Sequence, residues 1–124
     1  MFSNQLVMKL TRQRRMRLWG EFQTVRNTGR SAAGRYLVIG TLEDSSSRDR
    51  KFGLITSKKV GNAVTRNFVR RRLREIIRKW GDHLPPQQMV VTIARWRASE
   101  ATLDELEQDW IKVAKRLKIW REEL

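Results

Sequence analysis

Ser57-Lys58-Lys59-Val60-Gly61-Asn62-Ala63-Val64-Thr65-Arg66-Asn67-Phe68-Val69-Arg70-Arg71-Arg72-Leu73-Arg74 joins a helix start to an apolar stripe and a dense row of cations. Asn62 carries the short side-chain acceptor that suits an N-cap, where the first backbone N–H groups of a helix lack partners. Beyond it Val69, Leu73, Ile76, Ile77 and Trp80 share one helical face, which predicts an amphipathic helix docked on a sheet. The remaining faces carry charge of one sign. From Lys58 to Lys79 there are nine Lys or Arg and a single acid, Glu75, so this segment holds +8 of the chain's net +14. At about 100° per residue, Arg66, Arg70, Arg74 and Arg78 form one ridge, with Asn67 and Arg71 further round the same side. Arg72 projects to the other flank. Like charges so spaced repel one another along a helix, so a chain that carries them without acidic partners is built to meet an external anion. Phosphate fits: the planar guanidinium fork grips two oxygens at once, and each neutralised phosphate releases condensed counterions.

Outward from this helix, Arg35 to Leu42 has the β-branched and aromatic content of a strand, and Lys51 to Thr56 that of a second. The polar, Ser-rich stretch from Glu43 to Arg50 separates them, and the two are expected to pair as an antiparallel hairpin. A short extra strand fits Arg30 to Ala33. Leu18, Phe22 and Val25 recur at helical spacing and Asn27-Thr28-Gly29 supplies a stop, which predicts a first short helix interrupted by Gly20. On the C-terminal side, Pro85-Pro86 marks a turn and Met89 to Ala94 reads as a buried strand. Thr102 with Glu105 has the form of a capping box, opening a last helix with the stripe Leu106, Trp110, Val113, Leu117 and Trp120. Residues 1–17 read as a basic, extended or flexible arm containing Arg14, Arg15 and Arg17. Together these elements predict one α+β domain over residues 1–124, a small two-layer sandwich in which a three- to four-stranded sheet packs against helices.

Composition narrows the function. Twenty-seven Lys or Arg against thirteen Asp or Glu, with a pI near 11.5, favour a nucleic acid or another anionic surface as partner. The absence of cysteine removes disulfides, Cys-based zinc sites and thiol chemistry. The one histidine, His83, lies in a Gly-Asp-His-Leu-Pro-Pro turn and is expected to be a solvated loop residue without the partners that acid–base catalysis needs. No stretch resembles a signal peptide or approaches the roughly 18 apolar residues of a membrane span. A cytoplasmic protein with no membrane association is therefore expected, and its oligomeric state is left open.

The basic helix resembles the signature of the protein subunit of bacterial ribonuclease P. That signature consists of paired lysines, an Ala, then Arg-Asn-basic-aliphatic-basic-Arg, an apolar residue and another base. Here it stands as Lys58-Lys59, Ala63, Arg66-Asn67, Val69-Arg70-Arg71 and Leu73-Arg74. The likeness extends to Arg15-Met16 with Glu21-Phe22, to Phe52-Gly53-Leu54 and to Ile93-Ala94-Arg95, covering Arg14 to about Leu117 in order. It implies a partner RNA that holds the catalytic magnesium ions, and removal of the 5′ leader from precursor tRNA, with no catalytic or metal-binding side chain in the protein. It further implies contact of Lys58, Lys59, Arg66, Asn67, Arg70, Arg71 and Arg74 with the RNA subunit. A leader-binding cleft would contain Phe22, Tyr36 and Arg26, with auxiliary RNA contacts from Arg14, Arg15, Arg17 and Arg95. The fold implied includes a left-handed βαβ crossover, against the usual right-handed rule.

Two positions depart from the family pattern. Phe68 stands where a basic residue is usual, and Arg26 where an aromatic is frequent. Phe68 lies away from the apolar stripe and is expected to be partly exposed, packing against the N-terminal arm in preference to stacking on a nucleobase. Arg26 retains a planar group able to stack on a base. A structural RNA-binding protein without substrate selection is the alternative class. A self-sufficient nuclease would need clustered carboxylates or a His/Cys constellation, which the sequence lacks.

Overall fold

The structure is a computed structural model that describes residue 16, residues 19–46 and residues 49–122. The arm over residues 1–17, with Arg14, Arg15 and Arg17, lies outside them apart from Met16. In chain order the elements are α1 (Trp19–Thr28), β1 (Arg30–Ala33), β2 (Leu37–Glu43), β3 (Lys51–Ile55), α2 (Ala63–Trp80), β4 (Gln88–Ala94) and α3 (Leu103–Arg116), with short 3-10 turns at Lys58–Val60, Gly81–His83 and Trp96–Glu100.

The four strands form one sheet in the order β1-β2-β4-β3. β2 pairs antiparallel with β1 and with β4, from Leu37 opposite Ala94 to Glu43 opposite Gln88, while β3 runs parallel to β4. The expected β2–β3 hairpin does not form. β4 lies between them, because Met89 to Ala94 is apolar on both faces and its burial requires the sheet centre. β3, with half-buried Lys51, Leu54 and Ile55, takes an edge, and its Phe52 carbonyl accepts the Met16 N–H at 2.8 Å. The hairpin is β1–β2, closed by the Gly34 N–H on the Leu37 carbonyl at 2.8 Å. Parallel neighbours need a crossover, and α2 provides it in the β3–α2–β4 unit.

The two faces of the sheet are filled unequally. Leu37, Ile39, Phe52, Val90 and Ala94 project into the main core, where they meet Val69, Leu73, Ile76 and Ile77 of α2 and Leu106, Trp110 and Val113 of α3. Each of the Val, Leu, Ile and Phe side chains among them contributes roughly 1.5–3 kcal/mol on burial. The Trp110 indole N–H donates to Thr92 Oγ1 at 3.0 Å, so the one polar group of the largest core side chain is satisfied. The other face carries a smaller cluster of Met16, Val25, Met89 and Val91, which among the described helices is covered by α1.

Local signals start the helices where expected. Asn62 Oδ1 accepts the Thr65 N–H at 2.9 Å. Thr102 and Glu105 form the reciprocal capping box, with the Glu105 N–H donating to Thr102 Oγ1 at 3.1 Å and the Thr102 N–H to Glu105 Oε1 at 2.9 Å. The backbone donor at Thr102 is the main reason the Glu105 carboxyl is held below its ordinary pKa. The α3 stripe runs through Leu117, but Trp120 falls beyond the helix and turns back towards the end of α2. There His83, expected in solvent, is half-buried with its ring stacked on Trp120 at 4.5 Å and 6°, and Nδ1 donates to the Arg121 carbonyl at 2.7 Å. The imidazole ring presents a flat face, and the indole stacked beside it removes that face from water.

Candidate nucleic-acid interface

The cations of α2 divide by what they touch. Lys58, Lys59, Asn67, Arg71 and Arg74 are exposed and Arg66 is half-buried, and among the described residues none of their side chains has a hydrogen bond or ion pair. Arg70, half-buried, donates to Thr56 Oγ1 at 2.6 Å and is thereby tethered to the end of β3. Arg78 is drawn to Glu75 at 3.4 Å and Lys79 to Glu107 at 3.4 Å, so the charge at the C-terminal end of the helix is partly neutralised. Arg72 turns the other way, donating to the Ala101 carbonyl at 2.7 Å with its guanidinium 4.2 Å from the Phe68 ring centroid. The ridge is thus strongest near the start of α2, where Lys58 and Lys59 stand beside it. The expected packing of Phe68 on residues 1–17 lies outside the described residues, and the ring is 48% exposed.

On the opposite side of the sheet, a groove of about 480 Å³ runs between α1 and the strands. Phe22, Val25 and Arg26 line it from α1, Arg30 from β1, and Val38, Gly40, Ile55, Val91 and Ile93 from the sheet. Gly53 sets the depth at which Phe22 rests, since a Cβ there would lie 2.5 Å from Phe22 Cε1. A 2.9 Å salt bridge from Lys51 to Glu21 fixes α1 over β3. Arg26 is exposed at the rim, and Arg30 reaches the Leu117 carbonyl at 2.9 Å. The result is an apolar floor under a positive lip, a shape suited to unstacked bases joined by phosphates.

Phe22 and Arg26 therefore share a site, whereas Tyr36 is elsewhere. The chain bends before β2, and Tyr36 packs against the main core beside α3, its hydroxyl 3.4 Å from Glu105 Oε2. Asp109 causes this bend. Its buried carboxylate accepts the backbone N–H groups of Arg35 at 3.1 Å and Tyr36 at 2.9 Å, and Gly34 leaves it the necessary room. Arg95 is exposed, but its guanidinium donates to the Gly34 carbonyl at 2.8 Å, bracing the same turn. Arg30, Val38 and Gly40 went unnoticed as groove residues, although strand alternation puts Val38 and Gly40 together on the face opposite Leu37 and Ile39. Among the described residues, no three His, Asp or Glu side chains gather into a metal site, and no helix is long and apolar enough to cross a membrane.

The ribonuclease P family model matches residues 10–118. The chain is 36% identical over 107 residues to the ribonuclease P protein component of Bacillus cereus (strain AH187), covering 86% of this chain and 93% of that one. It is 33% identical over 107 residues to the protein component from Syntrophomonas wolfei, covering 86% of this chain and 89% of that one. The structure is similar to that of the Staphylococcus aureus RNase P protein, with a TM-score of 0.80 and 29% identity over 87% of this chain and 98% of that one. The RNase P protein from Thermotoga maritima gives 0.73 and 25% over 82% and 96%. With a basic α2, a four-stranded mixed sheet and these likenesses in agreement, the chain belongs to the bacterial ribonuclease P protein family, the protein component of a tRNA-processing endoribonuclease.

Proposed function

We propose that this chain docks on a ribonuclease P RNA through Lys58, Lys59, Arg66, Asn67, Arg70, Arg71 and Arg74, and holds the 5′ leader of precursor tRNA in the groove containing Phe22 and Arg26. The observation that carries this reading is the division of the molecule into two surfaces. Lys58, Lys59, Arg66, Arg71 and Arg74, whose side chains have no partner among the described residues, lie on or just before α2, and an apolar groove with an arginine rim lies across the sheet. One surface suits a folded RNA read through its phosphates, the other a single strand read through its bases. Magnesium belongs to the RNA in this reading and supplies the hydrolytic chemistry there. The protein's residues bind and orient: the α2 arginines neutralise backbone charge, and Phe22 with Arg26 distinguishes a substrate that has a leader from a product that has none. The setting is the cytoplasm.

The test is cleavage of a precursor tRNA with and without a bacterial ribonuclease P RNA, at a magnesium concentration where the RNA alone is slow. Stimulation that requires both components is the expected result. No stimulation, with RNA binding intact, selects a structural RNA-binding protein, and cleavage by the protein alone overturns the division of labour.

A further inference from the structure

The end of the molecule where β3 and β4 finish side by side holds two exposed aromatic rings that neither surface described above uses. Ile55 and Ile93 are paired in register, so the 3-10 turns Lys58–Val60 and Trp96–Glu100 emerge as neighbours. The second turn also packs on α2, and Arg72 ties the two by donating to the Ala101 carbonyl. On this surface Phe68 is 48% exposed and Trp96 53% exposed. Each ring carries a guanidinium over it, Arg72 at 4.2 Å from the Phe68 centroid and Arg97 at 4.9 Å from that of Trp96. Lys58 and Lys59 on the neighbouring turn and Arg71, about one helical turn beyond Phe68, are all exposed.

Large aromatic rings left in water cost apolar hydration, and a cation over a ring face both anchors the ring and raises its affinity for an electron-rich flat partner. We propose that Phe68 and Trp96 form a base-stacking platform, each taking one unpaired nucleobase of the RNA subunit on the side away from its arginine. Charge selects the occupant, since the lysines and arginines that frame the rings demand a polyanion, and a single-stranded RNA segment presents flat apolar bases between phosphates. This inference rests on the proposed docking of α2 on RNA and adds bases to a contact otherwise made with the backbone. Phe68, at a position where the family pattern has a base, would thus exchange a phosphate contact for a stacked one.

The experiment measures binding of a bacterial ribonuclease P RNA to the full chain across a range of salt concentrations, for Phe68→Ala, Phe68→Leu, Phe68→Tyr and Trp96→Ala. Stacking predicts a loss of roughly five- to a hundredfold for the alanine variants, with the salt slope unchanged because no phosphate contact is removed. Phe68→Tyr should bind like the parent, and Phe68→Leu should lose nearly as much as Phe68→Ala, since it keeps apolar volume but has no ring face. Thermal stability, measured in parallel, should barely move. Equal binding by the Leu and Phe forms, affinity losses that track a falling Tm, or unchanged RNA affinity in every variant would overturn the platform. In the last case the rings serve a protein contact or the chain's own N-terminal residues, while intact parental binding leaves the proposed function standing. A parent that binds no RNA would sink both readings.

Discussion

Among the described residues, the sheet has one face closed under two helices and one face half open under a single helix, and the contrast separates what stabilises the molecule from what it can bind. On the closed face Trp110, Leu73, Ile76, Ile77, Leu37 and Val90 are almost wholly removed from water. On the open face Val25 and Val91 are buried, but Phe22, Val38, Ile55 and Ile93 remain half-exposed along the groove. α1 is short, and Gly40 and Gly53 put no side chain on the strand surface beneath it. A sheet that needed only stability would cover both faces alike. Leaving apolar surface accessible forgoes part of its burial energy, and that cost is consistent with a ligand that completes the layer.

Substitutions on the closed face should have the largest effect and the least specificity. Trp110→Ala removes a fully buried indole and orphans the Thr92 hydroxyl, so about 3–5 kcal/mol of stability should be lost, read by urea unfolding. All RNA affinities should then fall together as the folded fraction falls. A variant that kept its stability but lost binding would mean that the closed face is itself a site.

On the open face the order is reversed. Phe22→Leu keeps much of the apolar volume against Gly53 while removing the ring, so stability should change little. Binding of precursor tRNA by the assembled ribonucleoprotein should weaken by roughly ten- to a hundredfold, from the worth of one stacked base, with mature tRNA unaffected. Tyr36→Leu is the control that sharpens the comparison. Its ring lies beside α3, so leader discrimination should survive. Equal loss of discrimination in both variants would mean that the groove under α1 is not where the leader lies.

The two flanks of α2 repeat the contrast on a smaller scale. Arg74→Ala should lower the salt slope of RNA binding by about one unit without changing the Tm, because Arg74 is exposed and has no partner among the described residues. Arg72→Ala removes its bond to the Ala101 carbonyl, so about 1 kcal/mol of stability should go while the salt slope stays. Arg70→Ala should show both effects, since its guanidinium is tethered to Thr56 on the ridge that faces solvent.

What was legible in the sequence follows the range of the interactions. The start of α2 and the capping box of α3 were readable because Asn62 and Thr65, or Thr102 and Glu105, are three residues apart, and a helical stripe is a local pattern. The place of Arg72 on the flank away from the ridge follows from helical angle alone, whereas its bond to the Ala101 carbonyl does not. The place of β4 between β2 and β3 depended on which strand could be buried on both faces, a competition among distant segments that no local window contains. Tyr36 is separated from Phe22 for the same reason: Asp109, far along the chain, holds the backbone N–H groups of Arg35 and Tyr36 and bends them away from the alternation of β2. The turn around His83 implies a solvated ring because its stacking partner, Trp120, follows a whole strand and helix later.

The smallest expected effect lies at the edge of the closed face and carries a pH signature. Glu105 closes the cap of α3, and its carboxyl is held below its ordinary pKa first by the Thr102 backbone N–H and then by the Thr102 hydroxyl, the Tyr36 hydroxyl and the charge of Arg35. A carboxyl whose folded pKa is lowered binds its proton more weakly in the folded state than in the unfolded one. Its contribution is therefore complete above the unfolded pKa and is lost as pH falls through the folded value. Glu105→Gln keeps an acceptor for the cap but removes the charge, so the variant should melt slightly below the parent near neutral pH. The gap should narrow as the solution is acidified past the ordinary carboxylate range, and leader discrimination at neutral pH should be unchanged because α3 lies across the sheet from the groove. A gap independent of pH would show that the bond geometry of the cap, and not the carboxylate charge, anchors the helix over the closed face.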